Sequence, residues 1–221
     1  MRYWSSLLIA LKESLVIETD VIAIASEDAR NAVARRYLAS PEARRVVHAR
    51  LADHFATVDG ERRLHELPWQ LLQADARADL RTLIADSAFL MPMIAEERLE
   101  DLGRYWRFLG AAPDMAQALA SSFSEFTTRE QVPALSARHG TRLGYFLGQH
   151  GHHMAAEQVL RTSLAFSERA SGWDHPNSAD CARSLASGLR TGGNVEERRQ
   201  LLYRSVAAFQ VAFGEDHEHT L

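Results

Sequence analysis

The sequence is poor in the residues that mark several protein classes. Among its 221 residues there is one cysteine, Cys181, and one lysine, Lys12. A single cysteine excludes an internal disulfide framework, and the neighbours Ala179, Ala182 and Leu185 predict a small core residue instead. No apolar run reaches the roughly 18 to 20 residues of a membrane span, so no membrane association is expected. The first residues also lack the basic, apolar and small-residue pattern of a secretion signal, which predicts a cytoplasmic location.

Motifs that carry catalysis are missing as well. There is no G-x-x-x-x-G-K-[ST] loop, and no glycine precedes Lys12, so a phosphate cradle of this type is excluded. The sequence also lacks a G-x-S-x-G elbow, an H-E-x-x-H pair and a cysteine-rich metal framework. We therefore expect a protein that is not an enzyme and that needs neither a cofactor nor a metal.

An excess of positive charge is also absent. The formal net charge is -4, which argues against bulk affinity for nucleic acid. Arginines do cluster between Arg30 and Arg63, but Asp28, Glu42 and Asp53 are interleaved with them, which favours a solvated helical face. With 46% hydrophobic residues, the chain has enough apolar material for the core of a folded protein of one or two domains.

What the sequence does contain is a repeat with a period of 42 residues near its C-terminus. Laying 143–179 over 185–221 gives ten identical pairs: Leu143/Leu185, Leu147/Leu189, Gly151/Gly193, Gln158/Gln200, Leu160/Leu202, Ser163/Ser205, Ala165/Ala207, Gly172/Gly214, Asp174/Asp216 and His175/His217. Self-similarity at a fixed period predicts stacked units, because each unit leaves an apolar face that only its neighbour can cover. Such units usually bind other molecules rather than catalyse reactions.

Each unit is predicted to be two antiparallel helices. Leu143, Phe146 and Leu147 share one face of a first helix that Gly151 ends. The second helix carries Ala155, Val159, Leu160 and Leu164. The next unit repeats this pattern with Leu185 and Leu189, a break at Gly192-Gly193, and Leu201, Leu202 and Val206. Short breaks favour antiparallel pairing of the two helices.

This spacing resembles the tetratricopeptide motif. The positions that match its small, Leu and Gly residues are Leu143, Gly144, Leu147, Gly151, Ala156, Leu160 and Ser163, then Leu185, Ala186, Leu189, Gly193, Leu202 and Ser205. Arg198 departs from the motif, since a small residue is expected there. The usual period is about 34 residues, so the extra residues are placed in the loop 171–178. Its G-x-D-H-P sequence resembles repeats of the kinesin-light-chain and nephrocystin-3-like type.

In that loop, Pro176 is expected to stop one helix, and Asn177 or Ser178 to cap the next. We interpret His175, and His217 in the second unit, as residues that brace the loop. A ligand role for these histidines is the alternative.

Two short strands are predicted near the N-terminus. A helical pattern over Tyr3–Leu15 is followed by β-branched runs on either side of a polar turn within 16–24. Ser26 is expected to cap the next helix, and Ser40-Pro41 to start another. A helix, a hairpin and two helices resemble the end of a winged-helix module.

A broader resemblance covers nearly the whole chain. The segments 11–15, 31–38, 50–55, 66–72 and 104–107 resemble the region after the NACHT-type NTPase domain of nephrocystin-3-like proteins, which are signal-transducing STAND ATPases. Ile24-Ala25-Ser26-Glu27 departs from that family, which usually has an aromatic-His pair there. The resemblance implies a sensor fragment whose partner is an NTPase domain in cis or in trans. Helical spacing already at Trp4, and an end at Leu221 where a further unit is expected, also predict a piece of a longer protein.

The predicted fold class is mainly α. It is an α-solenoid of tetratricopeptide-like helical hairpins, preceded by a small winged-helix-like segment with one short β-hairpin. The expected domains are a winged-helix-like segment over 1–57, a helical connector over 58–130 and repeats over 131–221. In the connector, Trp69, Trp106, Met91 and Met93 lie at helical spacing and are interpreted as core residues rather than a ligand box.

The resemblance to tetratricopeptide arrays also implies a binding site. In those arrays the first helix of each unit lines a concave groove, which points to Arg138, Thr141, Tyr145, Gln149, Asp180, Arg183, Ser187 and Arg190. Three arginines and a tyrosine could hold an acidic or carboxylate-ended peptide of a protein partner. The alternative is that these are ordinary exposed residues.

Other functions remain open at this point. Arg30, Arg35 and Arg36 could form the recognition helix of a DNA-binding regulator. Glu96, Glu97, Glu100 and Asp101 could act as acid-base groups if they share one helix, although an exposed acidic face is the more ordinary interpretation. His150, His152 and His153 flank the break at Gly151, so we expect a solvated turn rather than a metal site.

Overall fold

The computed structural model describes residues 15–18, 21–110, 113–129, 132–189 and 195–215. It divides into two compact units, Met1–Ala76 and Arg77–Leu221. Of the helix expected over Tyr3–Leu15, only Leu15 is described, and it belongs to a strand. The expected break at Gly192-Gly193, the groove residue Arg190 and the loop residue His217 lie outside the described residues.

The first unit contains the predicted β-hairpin. Strand β1 (Leu15–Glu18) pairs antiparallel with β2 (Val21–Ile24), with Leu15 opposite Ile24. Two helices follow, α1 (Glu27–Tyr37) and α2 (Pro41–Ala56). Their predicted caps are confirmed: the Ser26 Oγ accepts the Ala29 N–H at 3.3 Å, and the Ser40 Oγ accepts the Ala43 N–H at 3.1 Å.

Helix α3 (Glu61–Gln73) packs against α2 to form the core of this unit. Its buried apolar side chains are Ala52, Phe55, Leu64, Leu67 and Leu71. Trp69, which was expected in a core, is 36% exposed and meets the His48 ring edge-on at 5.2 Å. The expectation is therefore wrong: Trp69 lies on an exposed part of α3, where the His48 ring of α2 covers it only in part.

The second unit opens with the helices of the connector. They are α4 (Arg77–Ala85), α5 (Ser87–Ala95), α6 (Leu99–Phe108) and α7 (Pro113–Arg129). The predicted break at Asp86-Ser87 is confirmed, since the Asp86 carboxylate accepts the Ala88 N–H at 2.9 Å and caps α5. Met91, Met93 and Trp106 are buried, as expected of core residues.

Two helical hairpins complete the unit, at the positions that the 42-residue repeat predicts. Helices α8 (Pro133–Gln149) and α9 (His153–Ser171) form the first, and α10 (Pro176–Gly188) and α11 (Val195–Phe213) the second. Most of the predicted apolar residues are buried, among them Leu143, Leu147, Val159 and Leu160 in the first hairpin and Leu185 and Leu201 in the second. Leu202 is half-buried, and Val206 is 37% exposed, so the prediction is wrong for Val206. The helices pack in neighbouring antiparallel pairs, as in an α-solenoid.

The loop between α9 and α10 differs in detail from the prediction. Gly172, at a φ of +92°, ends α9, and Pro176 begins α10 rather than stopping a helix. His175 is the N-cap, because its Nδ1 accepts the Asn177 N–H at 3.1 Å. Ser178 instead donates its hydroxyl to the Gly172 carbonyl at 2.6 Å. The loop-bracing role of His175 is therefore confirmed, whereas the caps assigned to Asn177 and Ser178 are wrong.

None of the helices in the described part of the chain is long and apolar enough to cross a membrane.

Candidate functional site

Close packing of α8 on α9 sets the shape of the predicted binding surface. A Cβ added at Gly140 would lie 2.8 Å from the Ser163 Cβ, and one at Gly144 would overlap the Leu160 side chain. Both glycines are buried, so no room exists for a side chain at either position. The two backbones therefore approach each other closely. Another side of α8 faces α10, and a groove lies between these two helices.

Seven of the eight predicted residues line two cavities along this groove. We define the groove as the surface between α8 and α10 that these cavities occupy. Arg138, Thr141 and Asp180 line the first cavity, and Tyr145, Gln149, Arg183 and Ser187 line the second. The eighth, Arg190, lies outside the described residues.

The first cavity has a volume of about 490 Å³ and lies where α8 and α10 begin and α9 ends. Arg138 is exposed, and one of its Nη atoms lies 3.6 Å from a carboxylate oxygen of Glu97. Arg142, one turn further along α8, was not among the predicted residues. It pairs with Glu97 and donates to the carbonyls of Ile94 at 2.9 Å and Ala95 at 3.2 Å, which holds the end of α5.

The second cavity has a volume of about 410 Å³ and lies toward the C-terminal ends of α8 and α10. Tyr145 is 60% exposed at its edge, next to the amide of Gln149. On α10, Arg183 pairs with Asp180 at 2.6 Å, and Ser187 donates its hydroxyl to the Arg183 carbonyl at 3.0 Å. His153, at the start of α9, also lines this cavity and was not predicted.

The charged side chains of the groove leave a small positive excess. Arg138, Arg142 and Arg183 face the carboxylates of Glu97 and Asp180, so one positive charge remains within the described residues. The pair of Arg183 and Asp180 is half exposed on both sides. Exposed ion pairs of this kind contribute roughly 0 to 1 kcal/mol, so a ligand carboxylate can compete for Arg183.

A buried network joins the helices beneath the groove. The Thr141 Oγ1 lies 2.9 Å from the Ala137 carbonyl, 2.9 Å from the Ser163 Oγ and 2.9 Å from the Cys181 Sγ. Ser163 donates to the same carbonyl at 2.6 Å. Thr141 is therefore occupied on its inner side, and Cys181 is buried as predicted. The network fixes the spacing of α8, α9 and α10, and so the width of the groove.

The acidic residues proposed as acid-base groups do not share a helix. Glu96 follows α5, Glu97 lies in a turn with a φ of +61°, and α6 begins only at Leu99. Asp101 is held by Arg98, with the Arg98 Nε at 3.0 Å from its Oδ2, while Glu97 binds Arg142. The sequence alone suggests one continuous helix here because apolar spacing continues across the break. The premise of the acid-base hypothesis is therefore wrong.

The three histidines near Gly151 diverge, and two of them are half-buried. The His150 ring packs on Phe146 at 4.3 Å, and its Nδ1 donates to the Phe146 carbonyl at 2.8 Å. His152 meets the buried Trp106 at 5.1 Å. His153 points instead into the groove. Gly151 and His153 are exposed, as expected of a solvated turn. His150 and His152 are half-buried, because Trp106 of α6 lies against them.

The described residues of neither unit form a compact metal site. The described residues of each unit contain no three His, Cys, Asp or Glu side chains whose ligand atoms all lie within 4.8 Å of one another. On α1, Arg30, Arg35 and Arg36 are exposed, and no side chain of that helix is buried.

A third cavity, of about 360 Å³, lies between α9 and α11. Arg161 binds Glu157 at 2.9 Å and also Glu197 of α11, and Arg204 of α11 binds Glu168. The hydrogen bond from Arg161 lowers the pKa of Glu197, and the same bond raises the pKa of Arg161. These pairs connect the two hairpins and are not among the predicted site residues.

Comparison with known proteins supports tetratricopeptide-like repeats. Over 108 residues, 48% of this chain, the sequence is 26% identical to a TPR repeat-containing protein of Dictyostelium discoideum, and the match covers 6% of that protein. No protein-family model matches the chain, and no solved structure matches it. The repeat match and the stacked helical pairs together fit a protein-interaction module.

Proposed function

We propose that this chain is a non-enzymatic interaction module that binds an acidic or carboxylate-ended peptide in the groove between α8 and α10. The observation that carries the proposal is the placement of Arg138 and Arg183 on neighbouring helices, each lining one of two successive cavities. Arginine presents several N–H donors to a carboxylate and forms bidentate hydrogen bonds with it. Two such groups along one groove match an extended peptide with acidic groups.

Residues around the arginines supply the remaining contacts. Tyr145 offers an exposed ring for apolar contact and a hydroxyl at its tip, and Gln149 offers an amide that can both donate and accept. Glu97 and Asp180 partly neutralise the arginines in the free protein. Binding is therefore expected to exchange these exposed ion pairs for pairs with the peptide, and to weaken as the salt concentration rises.

Binding of fluorescent peptides, followed by anisotropy, tests this proposal. The probes are a poly-aspartate peptide with a free C-terminal carboxylate, the same peptide amidated, and a lysine-rich peptide of equal length. We expect the first to bind best and the last not to bind. Replacing Arg183 and Arg190 with Glu should abolish binding without unfolding the protein.

Arg199→Glu is the matched control. Like Arg183, Arg199 is an exposed arginine in an i,i+3 pair, here with Glu196 at 2.7 Å, but it lies on α11 away from the groove. It should bind the acidic peptide as the unaltered chain does. If the control loses as much binding as the variant with both Arg183 and Arg190 replaced by Glu, or if that variant still binds the peptide, the groove assignment is wrong.

We also infer that the module is the sensor part of a STAND ATPase, located in the cytoplasm, with an NTPase domain as a partner in cis or in trans. Support comes from the order of elements, in which a β-hairpin, helices and repeats follow one another. Reading the DNA upstream of Met1 tests this inference. A continuous frame with a P-loop supports it, and an unrelated upstream gene contradicts it. Nothing in the comparisons supports the alternative of a DNA-binding regulator that uses Arg30, Arg35 and Arg36.

A further inference from the structure

The polar side chains that line the second cavity of the groove can all donate hydrogen bonds. They are Tyr145, Gln149, His153, Arg183, Ser184 and Ser187. Among the described residues, no Asp or Glu lines this cavity, whereas Asp180 lines the first one. A negatively charged group of a ligand therefore meets donors, and no carboxylate, on the walls of the second cavity.

Most of these donors are not used within the protein. Ser187 donates its hydroxyl to the Arg183 carbonyl at 3.0 Å, and Arg183 donates from one Nη to the Asp180 carboxylate at 2.6 Å. The other four side chains make no hydrogen bond to another described residue: Tyr145, Gln149, His153 and Ser184. These four side chains are therefore available to a ligand without the loss of a contact inside the protein.

The number of available donors exceeds what one carboxylate takes. A carboxylate has two oxygens, and the guanidinium group of Arg183 can bind both of them. A phosphate monoester has three acceptor oxygens and a charge of about -1.5 to -2 at neutral pH, so it takes more donors and more positive charge. His153 and Ser184 line the same cavity as Arg183 and supply such donors.

The cavity also has room for more than a small anion. Its volume is about 410 Å³, and Gly144, Gly148, Ala156 and Gly188 are among the residues that line it. None of these four residues has a side chain larger than a methyl group. The cavity can therefore hold a phosphate together with part of the chain that carries it. A net charge of -4 disfavours a nucleic acid as the source of this phosphate, which leaves a phosphorylated peptide.

We propose that the second cavity binds a phosphorylated side chain of the peptide in the groove. This inference rests on the proposed binding of an acidic peptide there, and it names the acidic group. Arg183 donates to two oxygens of the phosphate, and His153 and Ser184 supply donors for the third. Because one arginine is enough for a carboxylate, His153 is the residue that selects phosphate over carboxylate.

Fluorescence anisotropy of the full chain with three peptides tests the selection. The peptides share one otherwise uncharged sequence and have phosphoserine, glutamate or serine at one central position. At neutral pH and constant salt, the phosphoserine peptide should bind about tenfold more tightly than the glutamate peptide, because it gains charge-assisted hydrogen bonds. The serine peptide should bind most weakly.

His153→Ala tests the role of the histidine. It should weaken binding of the phosphoserine peptide about fivefold to tenfold and leave binding of the glutamate peptide unchanged. The matched control is Met154→Ala, because Met154 is the next residue on α9, is 83% exposed and does not line the cavity. It should leave the binding of both peptides unchanged.

The outcomes separate this inference from the proposed function. If the phosphoserine and glutamate peptides bind equally well, the phosphate selection is wrong and the acidic-peptide groove stands. If neither of them binds, and poly-aspartate does not bind either, both proposals are wrong. Equal loss of phosphopeptide binding in His153→Ala and Met154→Ala would contradict the role of His153.

Inorganic phosphate tests the source of the phosphate group. It should displace the phosphoserine peptide only at concentrations about a hundredfold above those at which the unlabelled phosphopeptide does so, because the rest of the peptide also contacts the groove. Displacement at equal concentrations would show that a free anion is the ligand, and would overturn the assignment to a phosphorylated peptide.

Discussion

The two helical hairpins share one sequence pattern but pack in different ways. In the first, Gly140 and Gly144 of α8 allow close contact with α9. The corresponding residues of α10 are Ala182 and Ala186. In α9, Ala155 and Ala156 are buried, whereas α11 has the half-buried Glu197 and the exposed Arg198 at these positions.

This difference shows that the period fixes where helices lie, while side-chain size at a few positions fixes how closely they approach. Arg198, which stands where the motif has a small residue, does not disturb the packing because it is exposed to solvent at the start of α11. Where the first hairpin has small buried residues, the second has an ion pair, from Glu197 to Arg161 of α9. The packing within the first hairpin thus depends on steric fit, whereas the contact of α11 with α9, between the two hairpins, depends partly on charge.

Gly140→Ala should cause the largest loss of stability in the first hairpin. Its Cβ would clash with the Ser163 Cβ, which is fixed to the backbone, and with the Phe123 ring. Overpacking of this kind costs about 3 kcal/mol at the upper end of its usual range. Urea unfolding measures the loss.

Gly148→Ala is the control on the same helix. Its Cβ would lie 3.9 Å from the Ala156 Cβ, an ordinary contact. The change should therefore stabilise the protein, by up to about 1 kcal/mol from helix propensity. A similar effect of the two substitutions would show that the close approach at Gly140 does not distinguish the first hairpin.

Leu164 and Val206 occupy the same position of the repeat, but Leu164 is buried and Val206 is exposed. Replacing each of them with Ala therefore compares the two environments. Leu164 is 9% exposed, and its truncation should lower the free energy of unfolding by about 2 kcal/mol, because a cavity is left against α10. Val206→Ala should cost about 1 kcal/mol or less. Thermal unfolding of dilute samples measures the loss of stability in each variant. Equal losses in the free energy of unfolding would contradict the exposure of Val206.

The smallest expected effect is the loss at acid pH of the stability that the charged contact between α9 and α11 provides. The Arg161 hydrogen bond lowers the pKa of Glu197 below its ordinary value in the folded protein. The resulting stability is present above the unfolded pKa of about 4.3 and is lost as the pH falls through the folded pKa. Because both side chains are partly exposed, the contribution is less than about 1 kcal/mol.

Comparison of Glu197→Gln with the unaltered chain measures this contribution. The difference in free energy of unfolding should be present at pH 6 and shrink toward pH 3. Glu196→Gln, which removes a pairing with Arg199 within α11, is the control and should leave the contact with α9 intact. A difference for Glu197→Gln that does not change with pH would rule out the charged contact as its cause.

Much of the fold follows from local patterns in the sequence. The caps at Ser26 and Ser40 and the hairpin within 16–24 were all predicted, because each depends on a few neighbouring residues. The helices of the repeats follow from apolar spacing in the same way. The placement of the groove residues on α8 and α10 could be predicted as soon as the helices and their order were known. Arg142 could have been predicted in the same way, since it lies one turn after Arg138 on α8.

Other features depend on contacts between distant residues and were missed. The break at Glu97 interrupts an apolar pattern that continues on both sides, and Arg142 of α8 binds the turn from 45 residues away. Trp106 packs against His150 and His152 and leaves them half-buried, a contact that no spacing within 150–153 indicates. Trp69 is exposed although its spacing is that of a buried residue, because burial depends on which helices pack around a side chain.

By itself the sequence determined the repeat, its period, the helical pairs and the helix faces that carry Arg138, Tyr145 and Arg183, because periodicity and capping are encoded within a few turns of chain. Only the tertiary structure decided which arginines are already paired, how the network at Thr141 sets the groove width, and that Val206 is exposed where Leu164 is covered. These properties depend on which helix lies beside which, and packing partners distant in sequence determine that.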